Sequence, residues 1–201
     1  PLNFDVSDLP ATKTALQTLP TDLRNHIDVL VNNAGLALGL EPADKTDFAD
    51  WQQMVNTNIL GLIHLTHEIL PFMVANNDGY IINLSSTAGN YPYFGGNVYG
   101  ATKAFVTQFS LNLRADLVGK NIRVSNIEPG LCGGTEFSNI RFHGDDAKAA
   151  QVYNSVQYVT PQDIANMVAW LIEQPKHVNI NRIEVMPTAQ TFAGLKVVKD
   201  L

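Results

Sequence analysis

The sequence predicts an α/β fold built on a doubly wound, three-layer parallel sheet, of the Rossmann type. Short runs rich in Val, Ile and Leu alternate along the chain with longer amphipathic patterns, as in a sheet whose strands are joined by helices. Two runs, residues 27–32 and 80–84, are apolar almost throughout, which is typical of strands covered on both faces. The 201 residues are 45% hydrophobic and 16% charged, so we expect one domain over residues 1–201 with a single core.

The predicted elements follow in order. Residues 2–6 form a strand or the end of one, and Ser7 or Asp8 begins a helix that extends to about residue 19. The strand 27–32 leads through a loop to a helix over about 48–74, the strand 80–84, and a helix over about 98–118 that Gly119 ends. The strand 123–128 precedes a long polar, partly helical excursion over about 131–159, a length that often indicates function. A helix with Pro161 at its first position and a strand at 183–186 complete the chain.

Charge and composition exclude several classes of partner. Thirteen Lys and Arg against nineteen Asp and Glu give a net charge of -6, whereas nucleic acid binding requires clustered cations. The most apolar stretch, residues 59–75, is interrupted by two histidines, Glu68 and Pro71, so we expect no membrane span. The single cysteine, Cys132, excludes a disulfide framework within the chain and is ordinary for a reducing cytosol. The expectation is a cytoplasmic protein that binds neither nucleic acid nor membrane.

Four polar residues, Asn58, Ser86, Tyr99 and Lys103, are candidates for catalysis. Tyr99 and Lys103 lie four residues apart on a predicted helix and therefore on one face. An ammonium beside a phenol favours the phenolate, which lets the pair exchange a proton with an alcohol or carbonyl. Ser86 follows the carboxyl end of a buried strand, where parallel sheets place their ligands. The structural alternative is a solvated helix face with a packed phenol.

The surrounding motifs resemble those of the short-chain dehydrogenase/reductase family. They occur in the family's order: Asp5-Val6, Asn32-Asn33-Ala34-Gly35, Asn58-Ile59-Leu60-Gly61, Ser86 thirteen residues before Tyr99-Gly100-Ala101-Thr102-Lys103, and Pro129-Gly130. The resemblance extends over nearly the whole chain.

The resemblance implies a role for each residue. Tyr99 is the general acid and base, Lys103 lowers its pKa and holds the nicotinamide ribose, Ser86 orients the carbonyl, and Asn58 holds a water that relays protons. Ser85 is the alternative to Ser86, and the spacing to Tyr99 favours Ser86. The residues expected to bind the cofactor, besides Tyr99 and Lys103, are Asp5, Val6, Asn32, Asn33, Ala34, Gly35, Pro129, Gly130, Leu131, Cys132 and Thr135.

Residues 97–105 and 128–137 are similar to one subgroup of the family. It comprises NADP-dependent dehydrogenases of serine, allo-threonine and other 3-hydroxy acids, which also reduce malonic semialdehyde. The resemblance thus implies a hydroxy acid substrate and NADP, although these residues do not exclude NAD. It also implies a homotetramer paired through the helices around Asn58 and Tyr99. The alternatives are a reductase of another carbonyl compound, or a non-catalytic truncated form with a role in oligomerisation or regulation.

The sequence departs from the family pattern at its start. It has no TGxxxGxG loop, whose helix N-terminus binds the pyrophosphate, and no second strand whose end selects NAD or NADP. We therefore expect a chain that lacks the first two strands and about fifty residues. On that hypothesis, the 201 residues by themselves neither fold fully nor bind the cofactor tightly.

Arg141 is the candidate that binds the substrate carboxylate, because it lies in the long excursion and a guanidinium can hold a carboxylate through two bonds. The alternative is an exposed loop arginine. Tyr91, Tyr93 and Phe94, shortly after Ser86, either shape the pocket or pack. His64 and His67 are spaced for a metal but have no third ligand, so we expect no metal site.

Overall fold

The computed structural model describes residues 1–193. Within them a single sheet contains β1 (Val29–Asn32), β2 (Gly79–Leu84), β3 (Ile122–Pro129) and β4 (Arg182–Val185), in this spatial order. Each neighbouring pair is parallel. The four carboxyl ends therefore meet at one edge, which confirms the predicted parallel α/β sheet.

Helices cover both faces of the sheet. Over residues 1–193 they are α1 (Leu9–Gln17), α2 (Thr21–Asn25), α3 (Phe48–Val55), α4 (Leu62–Asn76), α5 (Asn97–Asp116), α6 (Phe137–Arg141), α7 (Asp146–Gln151) and α8 (Pro161–Glu173). On one face α1, α4 and α5 pack around Ile81, and on the other α8 packs around Tyr80 and Ile82. Alternate residues of β2 point to opposite faces and all are buried, so the core has the expected three layers.

Local sequence signals account for the helix ends. The Asp8 side chain accepts a hydrogen bond from the Ala11 amide and begins α1. Thr160 and Asp163 form a reciprocal capping box at α8, with Pro161 at the first position. Gly119, with φ of +82°, ends the turn that follows α5. These three boundaries were predicted.

The predicted strand at residues 2–6 is wrong. These residues form no ladder, and Asp5 instead makes a turn in which its carboxylate accepts bonds from the Ser7 amide and hydroxyl, both at 2.8 Å. A strand requires a hydrogen-bonded neighbour, and within residues 1–193 the sheet ends at β1 without reaching this segment.

The segment expected as one helix over 48–74 is divided by a π-helical turn, Asn56–Gly61, between α3 and α4. Such turns are frequent at functional sites, and this one contains Asn58. Three short helices, α2, α6 and α7, were not assigned individually from the sequence. The last two lie in the excursion over 131–159.

The continuous helical stretch Phe48–Asn76 is long and apolar enough to cross a membrane by length and composition alone. In the fold, however, Ile69 and Met73 of α4 pack into the core cluster against β2 and are at most 2% exposed. A strongly apolar helix that covers a sheet passes the same test. One face of this stretch therefore packs into the core of the α/β domain.

Candidate active site

A cavity of about 690 Å³ opens at the carboxyl edge of the sheet. Its walls come from the loop after β1, the ends of β2 and β3, the first turns of α5, and the 131–153 segment. It brings together Ser86, Tyr99, Lys103 and Arg141. Predicted cofactor residues that also line it are Asn33, Gly35, Pro129, Gly130, Leu131, Cys132 and Thr135.

Tyr99 lies in the first turn of α5 and is buried against Phe137, with the two ring centroids 5.8 Å apart. Burial raises the pKa of Tyr99 to about 12, while the Arg141 charge and a hydrogen bond with Ser86 act in the opposite direction. Because desolvation disfavours the phenolate, the side chain is protonated at neutral pH and is a proton donor.

Lys103 lies one helical turn further along α5 and is only 6% exposed. Its Nζ donates to the Leu84 carbonyl at 2.9 Å and lies 5.9 Å from the Tyr99 ring centroid. Burial lowers the pKa of Lys103 to about 8. The groups that lower the pKa of Tyr99 in this arrangement are Arg141 and Ser86, and the role expected of Lys103 remains a prediction.

The two neighbouring serines have different partners. Ser85 Oγ is buried, donates to the Lys103 carbonyl at 2.6 Å and pairs with Thr107 at 2.9 Å, so it ties β2 to α5. Ser86 Oγ is half-buried, donates to the Pro129 carbonyl at 3.1 Å and interacts with the Tyr99 hydroxyl. Ser86 is therefore the serine that the fold places beside the phenol.

Asn58 lies just behind the cavity wall and is 1% exposed. Its amide donates both hydrogens, to the Leu36 carbonyl at 2.8 Å and to Thr102 Oγ1 at 3.0 Å, and its Oδ1 accepts from the Leu36 amide. A Cβ on Gly35 would lie 3.3 Å from both Asn58 Oδ1 and Lys103 Nζ. Asn58 is thus near Lys103. Both hydrogens of its amide are already donated, so a further hydrogen bond can be made only by Oδ1, as an acceptor.

Arg141, the last residue of α6, presents its guanidinium to the cavity. Its Nη2 donates to the Tyr93 hydroxyl at 2.7 Å, and its Cζ lies 5.1 Å from the Tyr99 ring centroid. Its Nε is buried without a hydrogen-bond partner, and the residue forms no ion pair within residues 1–193. A guanidinium beside the phenol, with no ion pair among these residues, is suited to bind a carboxylate.

Four residues expected to bind the cofactor do not line the cavity. The Asp5 carboxylate accepts hydrogen bonds from Ser7. Val6 lies against the π-helical turn, where a Cβ on Gly61 would lie 2.9 Å from the carbonyl oxygen of Val6. Asn32 is buried and donates to Thr66 and Asn83. It therefore joins β1 to α4 and β2. Ala34 is exposed on the loop between two residues that do line the wall.

Sequence analysis missed the support beneath the Pro129-Gly130 turn. Glu128 is fully buried and accepts two bonds from Arg182, both at 2.7 Å, together with bonds from Asn90 and Asn126. The signal available was a carboxylate at the end of a predicted sheet strand, directly before the turn, because such a charge needs partners when it is buried.

Within residues 1–193 no group of three or more His, Cys, Asp or Glu side chains is placed to hold a metal ion. His64 lies 3.7 Å from Glu68 Oε1, and His67 is exposed. Burial raises the pKa of the Cys132 thiol, which disfavours the thiolate needed of a nucleophile.

A parallel sheet with a buried phenol, amine and hydroxyl at its carboxyl edge defines a Rossmann-like oxidoreductase site. Residues 1–145 match the model of the short chain dehydrogenase family. The chain belongs to the short-chain dehydrogenase family.

Relatives of known name agree with this assignment. A probable NADP-dependent dehydrogenase of Haemophilus influenzae is 69% identical over 200 residues, which are 100% of this chain and 79% of that protein. An NADP-dependent 3-hydroxy acid dehydrogenase of Escherichia coli K12 is 56% identical over 194 residues, 96% of this chain and 78% of the relative. The closed form of serine dehydrogenase complexed with NADP+ superposes with a TM-score of 0.95 at 55% identity, covering 98% of this chain and 79% of that one.

Proposed function

We propose that the protein is an NADP-dependent dehydrogenase that interconverts 3-hydroxy acids, of the serine, allo-threonine or 3-hydroxypropionate type, with the corresponding 3-oxo acids or semialdehydes. The observation that carries the proposal is the joint placement in one cavity of Ser86, Tyr99, Lys103 and Arg141, a cation without an ion pair within residues 1–193. The names of the relatives support the same substrate class and favour it over a non-catalytic role.

The residues present fit a nicotinamide cofactor. The bare backbone at Gly35 leaves space beside Lys103 Nζ, which uses one of its three donors on Leu84. We place the cofactor against Asn33 and Gly35, residues 129–132, Thr135 and Lys103. When bound, NADP(H) supplies or accepts the hydride, and the chain has to place the substrate and move the proton.

Proton transfer is assigned to Tyr99. In reduction its hydroxyl donates a proton to the carbonyl oxygen of the substrate, and in oxidation the phenolate takes it back. Ser86 Oγ donates a hydrogen bond to the same oxygen and thereby orients it. The Lys103 ammonium stabilises the phenolate that forms, and a water bound at Asn58 Oδ1 returns the proton from solvent.

Arg141 is assigned to the substrate carboxylate, and its removal should raise KM for charged substrates alone. We expect Arg141→Ala to raise KM for 3-hydroxypropionate about 10- to 100-fold, the size of a lost hydrogen bond to a charged group. KM for neutral alcohols should change less than about twofold, because a neutral alcohol has no carboxylate for the guanidinium of the parent to bind. Initial rates measured over a range of concentrations of each substrate give the two changes in KM.

Arg114→Ala, at the far end of α5, is the matched control and should change neither value. Equal effects of Arg141→Ala on charged and neutral substrates would show that Arg141 supports the fold instead of the carboxylate.

The reaction itself is tested by following NADPH oxidation by the purified protein with malonic semialdehyde, with NADH in parallel. Turnover with a preference for NADPH would support the proposed function and would contradict the expectation that these 201 residues by themselves do not bind the cofactor tightly. Stoichiometric cofactor binding without turnover of any 3-oxo acid or semialdehyde would contradict the proposed function and favour the non-catalytic alternative.

The proposed assembly is a cytoplasmic homotetramer paired through α4 and α5. An apolar groove between α1, α4 and α5, lined among others by Leu60, Ile63 and Leu70, supports such pairing. Phe105 is 37% exposed and stacks on Phe109 beside it. Light scattering should give four times the chain mass of 22.0 kDa, and cell fractionation checks the compartment.

A further inference from the structure

Tyr93 has a contact that the proton-transfer chemistry does not use. Its hydroxyl accepts a 2.7 Å hydrogen bond from Nη2 of Arg141, a residue far along the chain and on a separate helix. Both side chains line the cavity. The bond therefore connects the loop after Ser86 to the helix that carries the free cation.

The Tyr93 ring is anchored to the base of α5. A Cβ on Gly96 would come within 2.7 Å of the ring atom Cε1, so the ring lies directly on the glycine backbone. The Gly96 amide also donates to the Tyr93 carbonyl at 3.0 Å. Because α5 begins immediately after Gly96 and carries Tyr99 in its first turn, the Tyr93 hydroxyl has a defined position relative to the reacting phenol.

The Arg141 guanidinium has few other constraints. Its Cζ lies 5.1 Å from the Tyr99 ring centroid and 5.4 Å from that of Phe137, contacts that hold it against two faces without fixing its rotation. Arginine carries much rotamer freedom, and a single directed hydrogen bond reduces it. The hydrogen bond to the Tyr93 hydroxyl is such a directed bond. The buried Nε has no hydrogen-bond partner within residues 1–193.

We propose that Tyr93 is a positioning residue for substrate selection, whose hydroxyl holds the Arg141 guanidinium in place to receive the carboxylate of the substrate. This inference rests on the proposed function and adds to it the residue that fixes the recognition group. Preorganisation of this kind lowers the entropy lost on binding, so it favours carboxylated substrates over neutral ones of the same shape.

The test compares 3-hydroxypropionate with 3-hydroxypropionamide, which has the same chain without the charge. We expect Tyr93→Phe to raise KM for the acid about five- to tenfold, the size of one typical net hydrogen bond, because the guanidinium itself remains and only its restraint is lost; kcat should stay within about twofold. KM for the amide should stay within about twofold, because the amide does not require the guanidinium.

Tyr91→Phe is the matched control. It removes the same hydroxyl from the same loop, but that hydroxyl donates to Glu184 and not to Arg141. Its preference for the acid over the amide should equal that of the parent. An equal loss of preference in both variants would mean that the loop as a whole, and not the Tyr93 hydroxyl, sets the selectivity.

A double variant separates failure of the inference from failure of the proposed function. If Tyr93 acts through Arg141, then Tyr93→Phe with Arg141→Ala has the same acid-to-amide KM ratio as Arg141→Ala alone. Two results would overturn the inference and leave the proposed function intact. One is that the effects of the two substitutions on the acid-to-amide KM ratio multiply in the double variant. The other is that Tyr93→Phe leaves this ratio unchanged while Arg141→Ala lowers the preference for the acid. If the parent protein shows no preference for the acid, the proposed substrate class itself fails.

Discussion

Tyr99→Phe is expected to lower kcat/KM for NADPH-dependent reduction of malonic semialdehyde about 10³-fold, within the range typical of a lost general acid. The variant keeps the ring that packs on Phe137 and loses only the hydroxyl beside Ser86. Because burial keeps that hydroxyl protonated well above neutral pH, it is the proton donor nearest to a carbonyl held by Ser86. Initial rates at saturating NADPH measure the loss.

Tyr158→Phe serves as the control for this substitution, since it removes a phenol hydroxyl from a residue that packs on Tyr153 away from Tyr99. It should leave the rate within about twofold, and both variants should melt within a few degrees of the parent. Retention of more than about a tenth of the activity by Tyr99→Phe would assign the proton to another donor.

Lys103→Met is expected to have opposite effects on activity and stability. Activity should fall at least about 100-fold, because the ammonium that stabilises the phenolate is lost. The lowering of the Lys103 pKa from 10.5 to about 8 corresponds to about 3 kcal/mol of destabilisation of the native state. The lost bond to the Leu84 carbonyl offsets about 1 kcal/mol of it, so the free energy of unfolding at pH 7 should rise by about 2 kcal/mol. Urea titration measures the stability.

The same substitution predicts a pH dependence with a defined sign. The folded pKa of Lys103 is about 8 and its ordinary value is 10.5, so between these values the unfolded chain binds more protons than the native one. The stability of the parent therefore rises with pH through this window, and the advantage of Lys103→Met disappears. Lys120→Met, at an exposed lysine, should show neither effect. A variant less stable than the parent at pH 7 would contradict the prediction.

Much of the fold could be predicted from local sequence. The strand β2 is apolar at nearly every position, and the capping box at Thr160 and the turn at Gly119 involve residues only a few positions apart. The four-residue spacing of Tyr99 and Lys103 likewise placed both on one helix face. The strand predicted at residues 2–6 failed because strand formation depends on a neighbour, and no local pattern reports whether that neighbour exists.

The site divides in the same way. The sequence by itself placed Tyr99 and Lys103 on one helix face and Ser86 at a strand end, and its resemblance to the family implied that the three act together. Only the tertiary structure decided that Ser85 is tied to α5, that burial moves the pKa values of Tyr99 and Lys103 in opposite directions, and that Tyr93 holds Arg141. Desolvation and long-range hydrogen bonds depend on what lies nearby in space, whereas caps, turns and periodicity depend on what lies nearby in the chain.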